Sequence, residues 1–399
     1  MGSKASRAES PASPGAIFAL IRGGAATTRR EVARATGLAP STASLRVEEL
    51  IDAGWVSERT DGSMAGRPAR RLAVNRDRGI ASSISLGANH MSVDIADATG
   101  ASIATRSIPY SAVDGPASAL DFGCAQLAEI ISESGSTAAL LGVTLGLPTP
   151  IDATTGTATA SIQAPGWDRL DILGELRSRV GGYALVENDA NLLAVAALDT
   201  VPVPNPHLIA VKAGSRIGSG FVSGGVLHRG ASGAGGEFSH TPTGAASVIA
   251  CSCGNSGCLE SVASGAAVVA RLRALGADVT TVDEIVTLAG HGDAVIIELV
   301  RTAGSLVGEV LAQAVNFVNP HAVILGGAMS SIPDFVASVR AVLFQHCLPV
   351  VSSVLSIREI EDGSTAEGRG GIRLLLDAIL SPDAIDADLT ASRTAITHP

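Results

Sequence analysis

The chain concentrates its ligand chemistry between Gly236 and Glu260. Glu237 and His240 come first, then Cys251, Cys253 and Cys258 at C-x-C-x4-C spacing, then Glu260, so three of the five cysteines fall within eight residues. Thiolate and imidazole are preferred ligands of Zn2+, and one histidine with three cysteines fills a closed tetrahedral site with no position open for catalysis. Gly254 and Gly257 allow the sharp turns that bring three sulfurs to one ion. Glu237 and Glu260 are surplus to that tetrahedron, so a structural metal here would brace a loop carrying two acids, the makings of a polar-ligand pocket. Buried thiols or a disulfide are the plainer alternatives. The sequence offers no long apolar run at its start and no stretch of ~18 apolar residues, which points to a cytoplasmic chain with no membrane partner. In a reducing compartment clustered cysteines bind metal more often than they pair. Cys124 and Cys347 have no cysteine neighbours and read as core thiols.

These residues need a scaffold, and the composition sets its kind. With 399 residues, two or three domains are expected; the chain is 46% hydrophobic but only 3% aromatic, so its core is aliphatic. Net charge is -10, unevenly spread: residues 1–80 hold 13 Lys/Arg against 8 Asp/Glu (net +5), and the rest hold 15 against 30 (net -15). A basic head on an acidic body fits a head that meets a polyanion.

Residues 1–13 are small and polar and are expected to be disordered. From Pro14 a helical pattern places Ile17, Leu20 and Ile21 on one face until Gly23-Gly24. Thr28 with Glu31 fits a capping box, and Gly37 stops that helix. Residues 40–54 read as a further helix with Leu45 and Leu50 inward. Trp55–Arg59 and Arg70–Val74 read as strands around a glycine-rich loop that ends Gly66-Arg67-Pro68. Helix, turn, helix and a two-stranded wing make a winged helix-turn-helix over residues 14–75. Ser41, Thr42, Ser44 and Arg46 suit base edges and phosphates; Arg67, Arg70 and Arg71 suit phosphate or minor-groove contact. A winged helix can instead dock protein.

After a polar linker at 75–80 the texture becomes α/β. A strand, glycine turn and returning strand cover Ser83–Asp97, a helix Pro116–Ser132, and buried strands Ala139–Gly146 and Tyr183–Glu187, the last leading into Asn188-Asp189-Ala190-Asn191. A second hairpin pairs Leu208–Lys212 with Phe221–Leu227. A long helix covers 294–318 before Asn319-Pro320, and a late strand runs Ala322–Gly327. The two similar hairpins predict two related lobes, one over 80–190 completed by a C-terminal helix at 366–380, the other over 191–365 with the zinc loop, and a cleft between them. Residues 381–399 read as a polar, disordered tail.

The chain resembles the ROK family of sugar kinases and sugar-responsive repressors over roughly residues 80–380, and its winged head matches the repressor branch. The motifs that carry the resemblance are G-E-x-x-H with C-x-C-G-x-x-G-C-x-E from Gly236 to Glu260, E-N-D-A-N from Glu187 to Asn191, and N-P-x-x-V-x-x-G-G from Asn319 to Gly327. It implies an actin-like two-lobed fold, structural Zn2+ on His240, Cys251, Cys253 and Cys258, and sugar hydroxyls held by Asn188, Asp189, Glu237, His240 and Glu260. Carboxylates and amides suit that task, since each hydroxyl both donates and accepts. In kinase members the position of Asp189 is the general base. The plainer readings are a helix N-cap for Asp189 and a solvated surface acid for Glu260.

The phosphate hairpins of such kinases are altered. The first, D-x-G-G-T-K, reads Ser85-Leu86-Gly87-Ala88-Asn89-His90; the second, G-T-G-x-G-x-G, reads Gly214-Ser215-Arg216-Ile217-Gly218-Ser219-Gly220. Phosphoryl transfer rests on positioning and charge stabilisation, so changes at Ser85, Ala88, Asn89 and Arg216 predict no catalysis, with Asp189 a vestigial base position. His90 reads as a surface or turn residue. The expected protein is a DNA-binding regulator, a repressor in homodimeric or homotetrameric form, whose partners are operator DNA and a sugar or sugar derivative. The alternatives are an ATP-dependent sugar kinase with a regulatory DNA-binding head, and a regulator whose sugar site is vestigial.

Overall fold

The computed structural model describes residues 13–60, 70–87, 89–110, 115–159, 165–244, 248–360 and 363–397. Ser13 belongs to no disordered stretch: its hydroxyl accepts from Ala16 N–H at 3.1 Å and starts α1 (Pro14–Arg22). α2 (Arg29–Thr36) begins at Thr28, whose hydroxyl accepts from Glu31 N–H at 3.2 Å; Glu31 reaches back one residue further than a capping box requires, to Thr27 N–H at 2.8 Å. α3 (Pro40–Asp52) buries Ala43, Val47 and Leu50. Leu45, expected inward, is 60% exposed; steps of three and seven back from Leu50 select Val47 and Ala43, whereas a step of five crosses to the other face. β1 (Val56–Thr60) and β2 (Arg70–Val74) pair antiparallel with Val56 opposite Val74. The loop that carries Arg67 lies outside the described residues.

The first sheet has the order β5-β4-β3-β6-β9. β3 (Ile80–Leu86), β4 (His90–Asp97) and β5 (Ser102–Pro109) form an antiparallel meander; β6 (Leu140–Leu147) and β9 (Tyr183–Asn188) extend it in parallel. Parallel neighbours need long crossovers, supplied by α4 (Gly115–Glu133) and by a segment holding the small hairpin β7 (Ile151–Asp152)–β8 (Thr157–Ala158) and α5 (Ile172–Val180). α6 (Asp189–Ala197) leads to a second sheet of order β12-β11-β10-β13-β14. It repeats the plan: β10 (Leu208–Ala213), β11 (Ile217–Ser223) and β12 (Val226–Leu227) meander, and β13 (Ala322–Gly326) and β14 (Ser356–Glu359) run parallel to β10. The returning strand expected at 221–227 starts earlier and stops at Ser223, because Gly224 and Gly225 turn at φ 61° and 79°. α7 (Leu259–Ala263), α8 (Gly265–Ala274), α9 (Val282–Gly290) and α10 (Ala294–Val318) pack on this sheet with α11 (Pro333–His346) and α12 (Pro349–Ser352), around Val300, Val307, Leu311 and Phe335.

α13 (Gly363–Ile379) returns to lie against α6, β3 and β6. Three glycines allow the approach: a Cβ at Gly368, Gly370 or Gly371 would strike Asp94, the Leu192 carbonyl or Ser83. The segment expected to be a disordered tail from 381 is instead α14 (Pro382–Thr397). Ser381 caps it by accepting from Ala384 N–H at 3.3 Å, and Ile385 and Leu389, four apart, are buried against the head. That single stripe holds the helix, and overall polarity hid it; residues 398–399 lie outside the described range.

The head is not strung on a loose linker. Ile17, Phe18 and Trp55 share one apolar cluster with Leu375, Leu376 and Leu380 of the C-terminal region. Trp55 Nε1 donates to Asp388 at 2.8 Å, Gly15 N–H to Asp386 at 2.7 Å, and the Arg78 guanidinium lies 4.2 Å above the Trp55 ring. Within the linker, Asn75 Nδ2 donates to the Gly54 carbonyl and Arg76 pairs with Asp97 at 2.7 Å. Among the described residues no helix is long and apolar enough to cross a membrane.

Candidate functional site

The metal-ligand set converges. The donor atoms of His240, Cys251, Cys253 and Cys258 all lie within 4.8 Å of one another. His240 Nδ1 is 3.3 Å from Cys251 Sγ, and Cys253 Sγ is 3.7 Å from Cys258 Sγ. Backbone bonds build the knuckle: Cys251 N–H donates to the Asn255 carbonyl, Gly254 N–H to Cys251 and Gly257 N–H to Ile249. Gly254 (φ 93°) makes the turn. None of the described cysteines is in a disulfide. Three soft sulfurs and one imidazole at this separation could hold a single metal ion.

β11 lies between the elements that carry Asn188, Asp189 and Glu260 of the expected hydroxyl-binding set. On one side the first turn of α6 packs Ala190 and Asn191 against Gly218 and Gly220. On the other, the Gly236 carbonyl accepts from Ser219 Oγ, and Glu260 accepts from Ile217 N–H at 2.8 Å. The N-cap of α6 is Asn188, not Asp189: Asn188 Oδ1 accepts from Ala190 and Asn191 N–H at 3.0 and 3.1 Å. Its Nδ2 donates to Thr149, which leaves one amide hydrogen for a ligand. Glu260 is buried rather than a surface acid. Burial pushes its carboxyl above the ordinary range against the pull of the Ile217 amide and Arg216. Glu237 is exposed and accepts from Ser239 Oγ.

Lys212, which the sequence reading passed over, sits at the centre. Its Nζ lies 2.6 Å from Asp189 Oδ2 and 2.6 Å from Glu367 Oε1. Burial opposes its charge, but the two carboxylates outweigh that and hold it above the usual lysine value. Burial pushes Glu367 up, with Asp189 and Asp94 adding to the rise. The other Asp189 oxygen accepts from Ala190 N–H. The apolar run of β10 carried the available signal: a lysine among buried aliphatics needs a buried partner.

In the two turns that resemble altered phosphate hairpins, where Ala88 lies outside the described residues, His90 and Arg216 lie close to neighbouring groups. His90 is half-buried, not a surface residue. Its ring covers Gly87, where a Cβ would collide with it, and burial and then Lys212 lower its basicity. Ser85 is buried, and its hydroxyl has no hydrogen-bond partner among the described residues. Arg216 is not among the residues with positive φ, and its guanidinium reaches Glu260 at 3.3 Å.

On the head, Ser41 and Thr42 are exposed and Ser44 half-buried at the start of α3. Arg46 pairs with Glu49 at 3.1 Å, and Arg70 lies 3.5 Å from Glu58. Arg71 is exposed beside them. Arg30 and Arg34 on α2 were not among the expected contacts, yet both are exposed and in no ion pair among the described residues.

The ROK family profile matches residues 81–373. The chain belongs to the ROK family. Residues 15–57 match a winged helix-turn-helix DNA-binding profile, so a DNA-binding head precedes the ROK domain. A putative xylose repressor from Caldicellulosiruptor sp. (strain Rt8B.4) is 28% identical over 343 residues, 80% of this chain and 84% of its own. An N-acetyl-D-glucosamine kinase from Haemophilus influenzae (strain 86-028NP) is 28% identical over 246 residues, 59% of this chain and 80% of its own. The fold is that of a solved ROK family transcriptional regulator, a homologue of the E. coli MLC protein (TM-score 0.77, 22% identity, 94% of this chain and 98% of that one).

Proposed function

We propose that this chain is a transcriptional repressor whose ROK domain senses a sugar or sugar derivative and does not phosphorylate it. What carries the reading is the union of a winged head and a ROK domain over one continuous apolar core, in a chain that aligns with a repressor over most of both lengths. Asn188, Asp189, Glu237, His240 and Glu260 supply one amide hydrogen, three carboxylates and an imidazole to a polyol. Charge-assisted bonds to such acids are about twice as strong as neutral ones. A ligand lacking the matching hydroxyls would forgo these bonds, at ~1.5–3 kcal/mol for each one made to a charged group.

Zn2+ is the ion we assign to His240, Cys251, Cys253 and Cys258. It supplies a rigid support for the loop between Glu237 and Glu260. With Nδ1 turned to the metal, the other ring nitrogen of His240 carries a proton it can donate to a ligand oxygen. On DNA, Ser41, Thr42, Ser44 and Arg46 enter the major groove with α3, while Arg67, Arg70 and Arg71 of the wing hold phosphates or the minor groove. Half-sites about one helical turn apart call for two heads, hence a homodimer or homotetramer, and a ligand that reorients the heads releases the operator.

A kinase reading draws on Asp189 and on relatives such as the N-acetyl-D-glucosamine kinase. Lys212 on Asp189, the His90 ring over Gly87 and Arg216 in the second turn weigh against it. A mobility-shift titration of promoter DNA with D-xylose, D-glucose, N-acetyl-D-glucosamine and their phosphates tests the repressor reading, with release by one of them expected. A protein that binds no promoter DNA, or turns over ATP with any of these sugars well above an Asp189→Asn control, would refute it.

A further inference from the structure

Three charged side chains from three different parts of the fold meet where the two sheets come together. Asp189 is the first residue of α6, Lys212 stands on β10 of the second sheet, and Glu367 stands on α13, which packs against the first sheet. Both contacts of the Lys212 ammonium are 2.6 Å, and all three side chains are at most 18% exposed. Nearby, α13 approaches β3, β4 and α6 too closely for side chains at Gly368, Gly370 and Gly371. Packing this tight moves as a unit rather than deforming gradually. Nine residues beyond Glu367, about 14 Å of helix, Leu376 enters the cluster that holds Phe18 and Trp55. α14 then takes the Trp55 indole on Asp388 and the Gly15 amide on Asp386.

We infer that Lys212 is a positioning residue: it fixes Asp189 as an acceptor for a ligand hydroxyl and, through Glu367, ties that carboxylate to the helix pair that seats the DNA-binding head. This rests on the sugar-sensing reading for its ligand, but the tie itself is a property of the free protein. A hydroxyl that donates to Asp189 shares the carboxylate with the ammonium. The ammonium then leans toward Glu367, and α13 registers the change. One cation between two acids makes the arrangement sensitive, since neither carboxylate can be fully paired unless the other gives way.

The experiment uses the full chain and the variants Glu367→Gln, Lys212→Met and Lys212→Arg, each checked by its melting curve. Without sugar, amide hydrogen exchange is followed in α1 and α14. Glu367→Gln should lower protection there at least tenfold while the outer strand β5 is unchanged, and Lys212→Arg should keep more protection than Lys212→Met. With whichever of D-xylose, D-glucose or N-acetyl-D-glucosamine releases DNA from the wild type, Glu367→Gln should bind that sugar within threefold of wild type yet need at least tenfold more of it to release DNA. Lys212→Met should bind it at least tenfold more weakly. Wild-type exchange in α1 and α14 of a folded Glu367→Gln variant, or wild-type release by it, overturns the inference. If no sugar releases DNA from the wild type, the sensing reading falls and the exchange measurement alone decides whether the tie exists.

Discussion

Two sides of the interlobe region use polar groups in opposite ways. Along β11 and the cysteine knuckle, the candidate side chains are held by backbone: Asn188 by the amides of α6, Glu260 by Ile217 N–H, the knuckle by its own turns. Along the two turns that resemble phosphate hairpins, side chains are held by other side chains: His90 covers Gly87, Lys212 bridges Asp189 and Glu367, Arg216 reaches Glu260. A group fixed by amides keeps lone pairs or protons for a ligand. A group fixed by a neighbouring charge, as Asp189 is by Lys212, must share its capacity between that neighbour and a ligand.

Metal removal should break this contrast most severely. Chelation, or Cys258→Ser at a fully buried ligand position, should free the loop between Glu237 and Glu260 and weaken sugar binding roughly 100-fold, read by calorimetry with limited proteolysis of the loop. Next comes Asp189→Asn. It removes a charge-assisted acceptor and half of the Lys212 pairing, and should weaken sugar binding by about 1.5–3 kcal/mol in the same titration; full affinity would mean that Asp189 serves only Lys212.

Asp94 sharpens the other side through pH. Burial raises its carboxyl to about 6, with the Thr105 hydroxyl opposing the rise. The folded chain therefore keeps this proton to higher pH than the unfolded chain does. The associated stability is present below the ordinary aspartate value and is lost as pH rises through about 6. Asp94→Asn should be more stable than wild type at pH 8, by up to about 3 kcal/mol, with the gain vanishing toward pH 4 in urea melts. The smallest effect concerns the head, where the same rule applies to cations. Arg30 and Arg34, in no ion pair among the described residues, should each weaken DNA binding and flatten its salt dependence when changed to alanine; Arg46→Ala, whose guanidinium is on Glu49, should do less.

Much of this was legible in the chain. The C-x-C-x4-C spacing and His240 named four groups that come within bonding reach of one point, because local spacing constrains a knuckle. Apolar runs broken by a glycine turn marked the two hairpins for the same reason. Long-range pairings left no such trace. Lys212 meets Glu367 at a separation of 155 positions in sequence, and nothing in either neighbourhood names the other as its partner. α14 was missed because its docking rests on Ile385 and Leu389 against a distant helix. Leu45 was misplaced because a helix of 13 residues offers several apolar spacings, and only the position of α1 decides which is buried. For Asp189 the general preference for aspartate at helix starts was right about the place and wrong by one residue, with Asn188 taking the cap.

The amide of Gly15 is bonded to Asp386, 371 positions further along, and Gly15 sits so tightly on the Pro382 carbonyl that no side chain fits between them. During synthesis, therefore, α1 leaves the ribosome long before α14 and must wait for it before it finds its seat. A polypeptide cut short ahead of α14 would lack both the Asp386 and Asp388 acceptors and the Ile385–Leu389 stripe on which this face of the head rests.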